Sequence, residues 1–215
     1  MTTTSRTPYV HELGEVGQAV DERIRRLQSG YLRDHSEAVA TLAKLRRGAG
    51  KTIEEVPELV GLTIDHRFYD VFDVRDPHTP DAEAAVHEAL TLYALHQQSK
   101  RDRGMHRRGR EFGDAVRRLM PMGDIDEPLR KRFVQAQSAG NHGTRLDRLR
   151  GIVQRLRSED IPLDYGLLAD QLYDARTPKG AERVRRAWGR SFQAHRPSKR
   201  PSGEGTEQNG SDTEA

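Results

Sequence analysis

Apolar residues recur along most of this chain at helical spacing, and strand-like alternation of apolar and polar residues is absent. Leucine outnumbers isoleucine by 19 to 6, which also favours helices over strands. The pattern predicts an all-α fold, a single compact bundle of about eight or nine helices. The expected helices are residues 10–29, 34–47, 53–60, 80–99, 111–119, 127–139, 144–158, 164–175 and 179–195.

Several of these helices begin with recognisable signals. Capping boxes are predicted at residues 52–55 and 144–147. At 79–80 and 177–178 a threonine is followed by a proline. The threonine is predicted to be the N-cap and the proline the first residue of the helix. These signals place four helix starts independently of the apolar pattern.

Two helices indicate how the bundle packs. Residues 84–95 are apolar nearly all round, which predicts a central buried helix. In 144–158 the apolar residues share one arc, so this helix is expected to pack by one face. Arg148 and Arg155 lie along one flank of that arc, and Arg150 and Arg157 lie along the other.

The domain organisation follows from composition. Residues 196–215 contain no aromatic residue and no aliphatic residue larger than alanine, so they cannot offset the entropy of ordering. They are predicted to form a disordered acidic tail, and residues 1–8 a flexible N-terminus. One all-helical domain is expected over residues 9–195.

Composition also narrows the class of protein. The chain has no cysteine, which excludes disulfides, thiolate metal sites and a cysteine nucleophile. There is no run of eighteen apolar residues and no apolar segment typical of a secretory signal. A cytoplasmic protein without a membrane partner is the expectation.

A search for catalytic motifs gives no persuasive active site. No two of the nine histidines lie three or four residues apart, and phosphate-loop, dinucleotide and nucleophile-elbow motifs are absent. His96, near the end of the central helix, is expected to be a hydrogen-bonded structural histidine. The acids of 73–88 are irregularly spaced and suit a solvated helix start. We therefore expect no catalytic residue, metal, cofactor or small-molecule substrate.

Clustered bases are the positive signal. The chain carries 36 bases and 33 acids, but the last fifteen residues hold four acids and no base, so the first 200 carry a net charge of +7. Arginine, which is 30 of the 36 bases, matches phosphate geometry. Clusters lie at 46–51, 100–110, 130–157 and 183–190. Gly104 and Gly109 predict that residues 100–110 form a flexible loop.

Few aromatic residues interrupt these clusters, so the stacking platforms of many single-strand binders are not evident. Phosphate contact without base readout is the interpretation that remains. The candidate nucleic-acid-binding residues are Arg46, Arg47, Lys51, Arg101, Arg103, Arg107, Arg108, Arg110, Arg130, Arg148 and Arg150.

Four stretches resemble a known family, the small subunit (CasB) of the type I-E CRISPR Cascade complex. Residues 43–48 (AKLRRG) look like its leucine–arginine–arginine helix end, and 89–98 (ALTLYALHQQ) are similar to its central helix. Residues 110–119 resemble a helix start of the family in which Gly113 is the anchor. Residues 146–173 with 184–192 resemble its C-terminal half, so the similarity covers about residues 25–195.

The resemblance implies a non-enzymatic, all-helical subunit present in two copies per complex. Its partners would be crRNA, target DNA and the displaced non-target strand, the Cascade backbone and large subunits, and a second copy of itself. Its role would be to stabilise the R-loop, in which base pairing does the sequence reading. Arg46 and Arg47 match the family's helix end, and Arg148 and Arg150 match a basic helix.

Two other classes stay open at this point. One is a free-standing helical DNA-binding transcriptional regulator, which would read a symmetric pair of half-sites. The other is an all-helical nuclease using Asp73, Asp76 and Asp81 with a metal ion, although these acids lack the spacing of a two-metal site.

Overall fold

A computed structural model describes residues 11–121 and 125–195. The predicted flexible N-terminus, 1–8, and the acidic tail, 196–215, lie outside these ranges. Within them the chain forms ten α-helices and no strand, with one isolated parallel bridge between His106 and Leu163, so the all-α prediction is confirmed. The helices are α1 (Glu15–Leu32), α2 (Ser36–Leu45), α3 (Val60–Thr63), α4 (His66–Tyr69), α5 (Thr79–Gln97), α6 (Phe112–Arg118), α7 (Glu127–Gln137), α8 (His142–Ser158), α9 (Tyr165–Asp174) and α10 (Pro178–Ala194).

Helix α5 is the centre of the fold. Residues 84–97 are all buried, and the helix packs against α1, α2, α8 and α9. The predicted central helix is thus confirmed. No helix within the described ranges is both long enough and apolar enough to cross a lipid bilayer.

A second layer completes the C-terminal half. Helix α6 packs closely on α10, and α7 packs on α8. Aromatic rings of α6, α7 and α10 fill the space between them, with the Phe112 ring centroid 4.6 Å from that of Trp188 and the Phe133 ring stacked on Phe192. The apolar residues of the predicted arc in α8 are all buried, which confirms that this helix packs by one face; they are Leu146, Leu149, Ile152, Val153 and Leu156.

Helix starts follow the capping signals in part. The capping box at 52–55 is present, and the Thr177 side chain accepts a hydrogen bond from the Gly180 N–H as predicted. The predicted capping box at 144–147 is wrong. Asn141 caps α8 by accepting a hydrogen bond from the Thr144 N–H, so the helix begins at His142, two residues before the predicted start. Thr79 is already the first residue of α5 rather than its cap.

The prediction of one helix over residues 53–60 is also wrong. The chain forms two 3₁₀ turns there, Ile53–Glu55 and Pro57–Leu59, and only then the single turn α3. Pro57 explains the break, because a proline disfavours helical geometry in the residue before it. Val56 accordingly has φ −142° and ψ 58°.

Candidate nucleic-acid interface

The Arg46–Arg47 pair stands on a turn fixed against the central helix. After α2 the chain makes a 3₁₀ turn, Arg46–Gly48, in which Gly48 is buried. A β-carbon on Gly48 would lie 2.8 Å from Cδ1 of Leu59 and 2.9 Å from Cγ2 of Thr91, so a larger residue here would require these two side chains to shift. The turn therefore packs closely against α5 at Gly48, while Arg46 and Arg47 are exposed to solvent.

Two residues further on, the same segment meets helix α8. Gly50 has φ +83°, a left-handed conformation that favours glycine. Its missing side chain makes room for Arg150, because a β-carbon there would lie 2.7 Å from Cδ of Arg150. The aliphatic stem of Arg150 thus passes over Gly50. Gly50, the neighbour of Lys51, thus contacts Arg150, which is 100 positions away in the sequence.

The loop that follows α5 adds Arg101 to the same surface. Its guanidinium pairs with Asp34 and lies 4.6 Å from the centre of the Tyr31 ring. Arg46 and Arg101 line a common cleft between α2 and the end of α5. Gln98, in the same cleft, accepts a hydrogen bond of 2.6 Å from Nη1 of Arg157 in α8.

We call this surface the basic strip; its members are Arg46, Arg47, Lys51, Arg101 and Arg150. In the part of the chain that the structure describes, no carboxylate oxygen lies within 4 Å of the charged groups of Arg46, Arg47, Lys51 or Arg150. Four positive charges without acidic partners make a surface that attracts polyanions. The structure thus brings together three basic clusters that are far apart in the sequence.

Residues 100–110 are not the freely hinged loop that their glycines suggest. The Gln97 amide donates to the carbonyl oxygens of Lys100 and Arg103, at 2.6 and 2.9 Å. Met105 is buried, and its carbonyl accepts from the Leu163 N–H. These contacts anchor the loop to the core at several points.

Arg108, whose side chain is partly exposed, pairs with the acids of a buried polar cluster that the sequence does not predict. His106 Nε2 lies 2.9 Å from the Asp21 carboxylate, and His106 Nδ1 accepts from the Tyr165 N–H. Arg108 approaches the carboxylates of Asp21 and Asp164, at 3.7 and 3.4 Å. Asp21, His106 and Asp164 are close enough to hold a metal ion, but Asp164 already accepts from the Gly109 and Leu167 N–H groups, and Asp21 pairs with His106 and Arg108. The cluster joins the loop to α1 and α9, and no sequence spacing signals it.

The other candidate residues lie in separate local surroundings. Arg103 pairs with Asp102 and Asp160, Arg130 with Glu127, and Arg148 lies 3.7 Å from Asp147. Arg107 is exposed. Burial, and after it the nearby charges of Arg118 and Arg107, lower the pKa of Arg110. Their roles as phosphate ligands stay predictions.

His96 and the acids of 73–88 have structural partners. His96 Nδ1 lies 2.9 Å from the Tyr165 hydroxyl, which confirms a hydrogen-bonded histidine in the core. The carboxylates of Asp73 and Asp76 accept from backbone N–H groups two residues on, and Arg176 pairs with Asp81 and with the fully buried Glu88. The described residues around α5 therefore show acids engaged in turns and ion pairs, which disfavours the nuclease interpretation.

The family model for the CRISPR-associated protein Cse2 matches residues 41–192. The chain belongs to this family. Every member of the basic strip lies inside the matched segment of this Cse2 protein. This match confirms the resemblance to the CasB family.

Two solved structures are similar to this Cse2 chain. CasB from Thermobifida fusca is 57% identical, with a TM-score of 0.78 over 85% of this chain and 100% of that one. A chain of a CRISPR RNA-guided surveillance complex is 21% identical, with a TM-score of 0.60 over 83% of this chain and 95% of that one, and shows that the fold is shared. No curated protein matches.

Proposed function

We propose that this chain is a non-catalytic, cytoplasmic small subunit of a type I-E Cascade complex. It would bind nucleic-acid backbone without sequence preference and stabilise the R-loop formed by crRNA and target DNA, together with the displaced strand. Its partners would be the backbone and large subunits and a second copy of itself. Membership of the Cse2 family and the likeness to a surveillance-complex chain support this role.

The observation that carries the proposal is the basic strip. Its cations come from three segments, and Gly48 and Gly50 hold two of those segments in contact with the rest of the fold. An arginine can donate two parallel hydrogen bonds to phosphate oxygens, and a strip of such groups follows a backbone without reading bases. Because R-loop formation is a near-balanced exchange of one duplex for another, a few backbone contacts suffice to tip it.

Replacement of Arg46 and Arg47 by alanine tests the strip. Both side chains are exposed, so the variant is expected to fold as the wild type does. Target binding by the assembled complex, measured by gel shift, is expected to weaken by about tenfold or more, since each lost charge-assisted hydrogen bond contributes about 1 kcal/mol or more. The slope of log K against log salt should fall by about 1.4 for two single-strand phosphate contacts.

The matched control is replacement of Arg25 and Arg26 by alanine. These two are also adjacent, exposed and positive, but they lie on α1, outside the strip. The control complex should bind target as the wild type does. Unchanged binding by the Arg46/Arg47 variant would contradict the proposed phosphate contacts.

Purification of the tagged chain from its native cells tests the assembly. Repeat-derived guide RNA and several further subunits are expected to copurify, and RNA sequencing identifies the guide. Copurification of a single duplex operator instead of guide RNA would favour the regulator interpretation.

A further inference from the structure

The cleft between Arg46 and Arg101 has the size of a ring-shaped ligand. Its volume is about 170 Å³. A cavity of roughly 150 Å³ is enough to hold benzene, so this cleft can admit a flat six-membered ring. Leu42, Val39 and Ala43 of α2 supply apolar contacts on one side, and Gln98 and Ser99 lie on the other.

The polar groups of the cleft are arranged to meet a ligand that accepts hydrogen bonds. The Gln98 oxygen is occupied by Arg157, whereas its Nε2 donates to no group among the residues that the structure describes. The Ser99 N–H donates to the Tyr31 hydroxyl, and the Ser99 hydroxyl is likewise without a partner in the described chain. The carboxamide N–H₂ of Gln98 and the hydroxyl of Ser99 are therefore available to form hydrogen bonds with a ligand in the cleft.

The rim of the cleft carries the phosphate-binding groups. Arg46, at one edge, belongs to the strip cations without acidic partners. Arg101, at the other, lies over the Tyr31 ring with its guanidinium carbon 4.6 Å from the ring centre, and its side chain is 52% exposed. A planar guanidinium held in this way can stack on a second ring from its open side.

We propose that this cleft receives one unpaired nucleobase of a single strand whose phosphates lie along the basic strip. The inference rests on the proposed function and adds to it that the strip prefers a single strand over a duplex, because only an unpaired base can leave its stack. The base would lie against the α2 wall and stack beside Arg101. Gln98 would donate to a carbonyl oxygen or ring nitrogen, groups that every base offers in some form, so the preference is for a base rather than for a sequence.

Two synthetic strands test the proposal with the full-length chain at low salt. One is oligothymidine and the other is a fully abasic strand of the same length, which keeps the phosphates and lacks the bases. The wild type is expected to bind oligothymidine about tenfold more tightly, in line with the contribution of one stacked base. Equal binding of the two strands would overturn the cleft proposal and leave the phosphate contacts standing. Failure to bind either strand would instead count against the strip.

The variant Ala43→Leu assigns the preference to this cleft. Ala43 is half-buried in the cleft wall, and leucine is a good helix former, so the substitution fills the space without changing charge. The variant is expected to bind both strands with the affinity that the wild type has for the abasic strand. Ala40→Leu, the same change on the exposed face of α2, is the control and should keep the preference.

A tenfold preference retained by Ala43→Leu would place the base elsewhere and overturn the proposal. Should Ala43→Leu fail to fold, as judged by its thermal transition, Gln98→Leu serves in its place because it removes the free donor of the half-buried Gln98. It is expected to reduce the preference at least threefold, and an unchanged preference would again contradict the cleft.

Discussion

Arg150 shows how single residues decide which charges share a surface. Its guanidinium joins the strip because its stem crosses a backbone position that has no side chain. Gly50 contributes both the missing β-carbon and a φ of +83°, which other residues rarely adopt. The contact between α8 and the segment after α2 thus depends on one glycine.

Gly50→Ala tests this contact. The substitution places a β-carbon 2.7 Å from Cδ of Arg150 and strains the backbone, so the free energy of unfolding is expected to fall by about 1 kcal/mol or more. Urea unfolding measures the change, and target binding by the assembled complex should weaken as Arg150 is displaced.

The control is Gly61→Ala in α3. A β-carbon on Gly61 meets no atom within 4 Å, and alanine suits a helix better than glycine. This variant should be as stable as the wild type or more stable by up to about 1 kcal/mol. Equal stability of the Gly50 and Gly61 variants would show that the Gly50 contact is not a tight one.

At the scale of elements, apolar spacing predicted most of the helices and the buried position of α5. The spacing did not predict the break at Pro57, where one proline outweighs the apolar pattern. The capping signal at Thr144 placed the start of α8 too late, because Asn141 caps the helix three residues earlier. The basic clusters could also be found from the sequence. The sequence could not predict which of these clusters share a surface. The contact of Gly50 with Arg150 and the ion pair of Arg108 with Asp21 both depend on tertiary packing.

The pairing of α6 with α10 depends on Gly113, the residue that anchors the family resemblance in this region. A β-carbon there would overlap the carbonyl oxygen of Trp188 and lie 2.6 Å from the backbone nitrogen of Phe192. These are backbone atoms of a helix, so they cannot move aside as a flexible side chain can. The two helices can approach this closely only while residue 113 is glycine.

Gly113→Ala is therefore expected to push α10 away from α6. Overpacking of this kind reduces the free energy of unfolding by about 1–3 kcal/mol, which thermal and urea unfolding would both show. Gly189→Ala on α10 is the matched control, because the nearest atom to its β-carbon, Nε2 of Gln137, is 3.8 Å away. That variant should gain up to about 1 kcal/mol from helix propensity. A Gly113 variant as stable as the control would refute the close approach.

The whole molecule separates its charges by depth. Four of the five strip cations stand at the surface without acidic partners, whereas the core holds His87, His96 and the ion pair of Glu88 with Arg176. The outer charges are free to bind a polyanion because the fold does not use them. The inner titratable groups make the stability of the fold depend on pH.

Stability is expected to fall as the pH falls below about 6.5. Burial lowers the pKa of His96 to about 3, and burial also lowers the pKa of His87 against the opposing charges of Glu88 and Glu54. In the unfolded chain both histidines titrate near 6.5. Between that pH and the lowered values the unfolded state binds protons that the folded state does not, which favours unfolding. From pH 7 to pH 5, His96 alone should reduce the free energy of unfolding by about 2 kcal/mol, and His87 acts in the same direction.

Urea unfolding at the two pH values measures this loss. His96→Gln should diminish the difference by about 2 kcal/mol, whereas His66→Gln, at an exposed site, should leave it unchanged. An equal loss in the wild type and His96→Gln would show that His96 accepts its proton inside the fold.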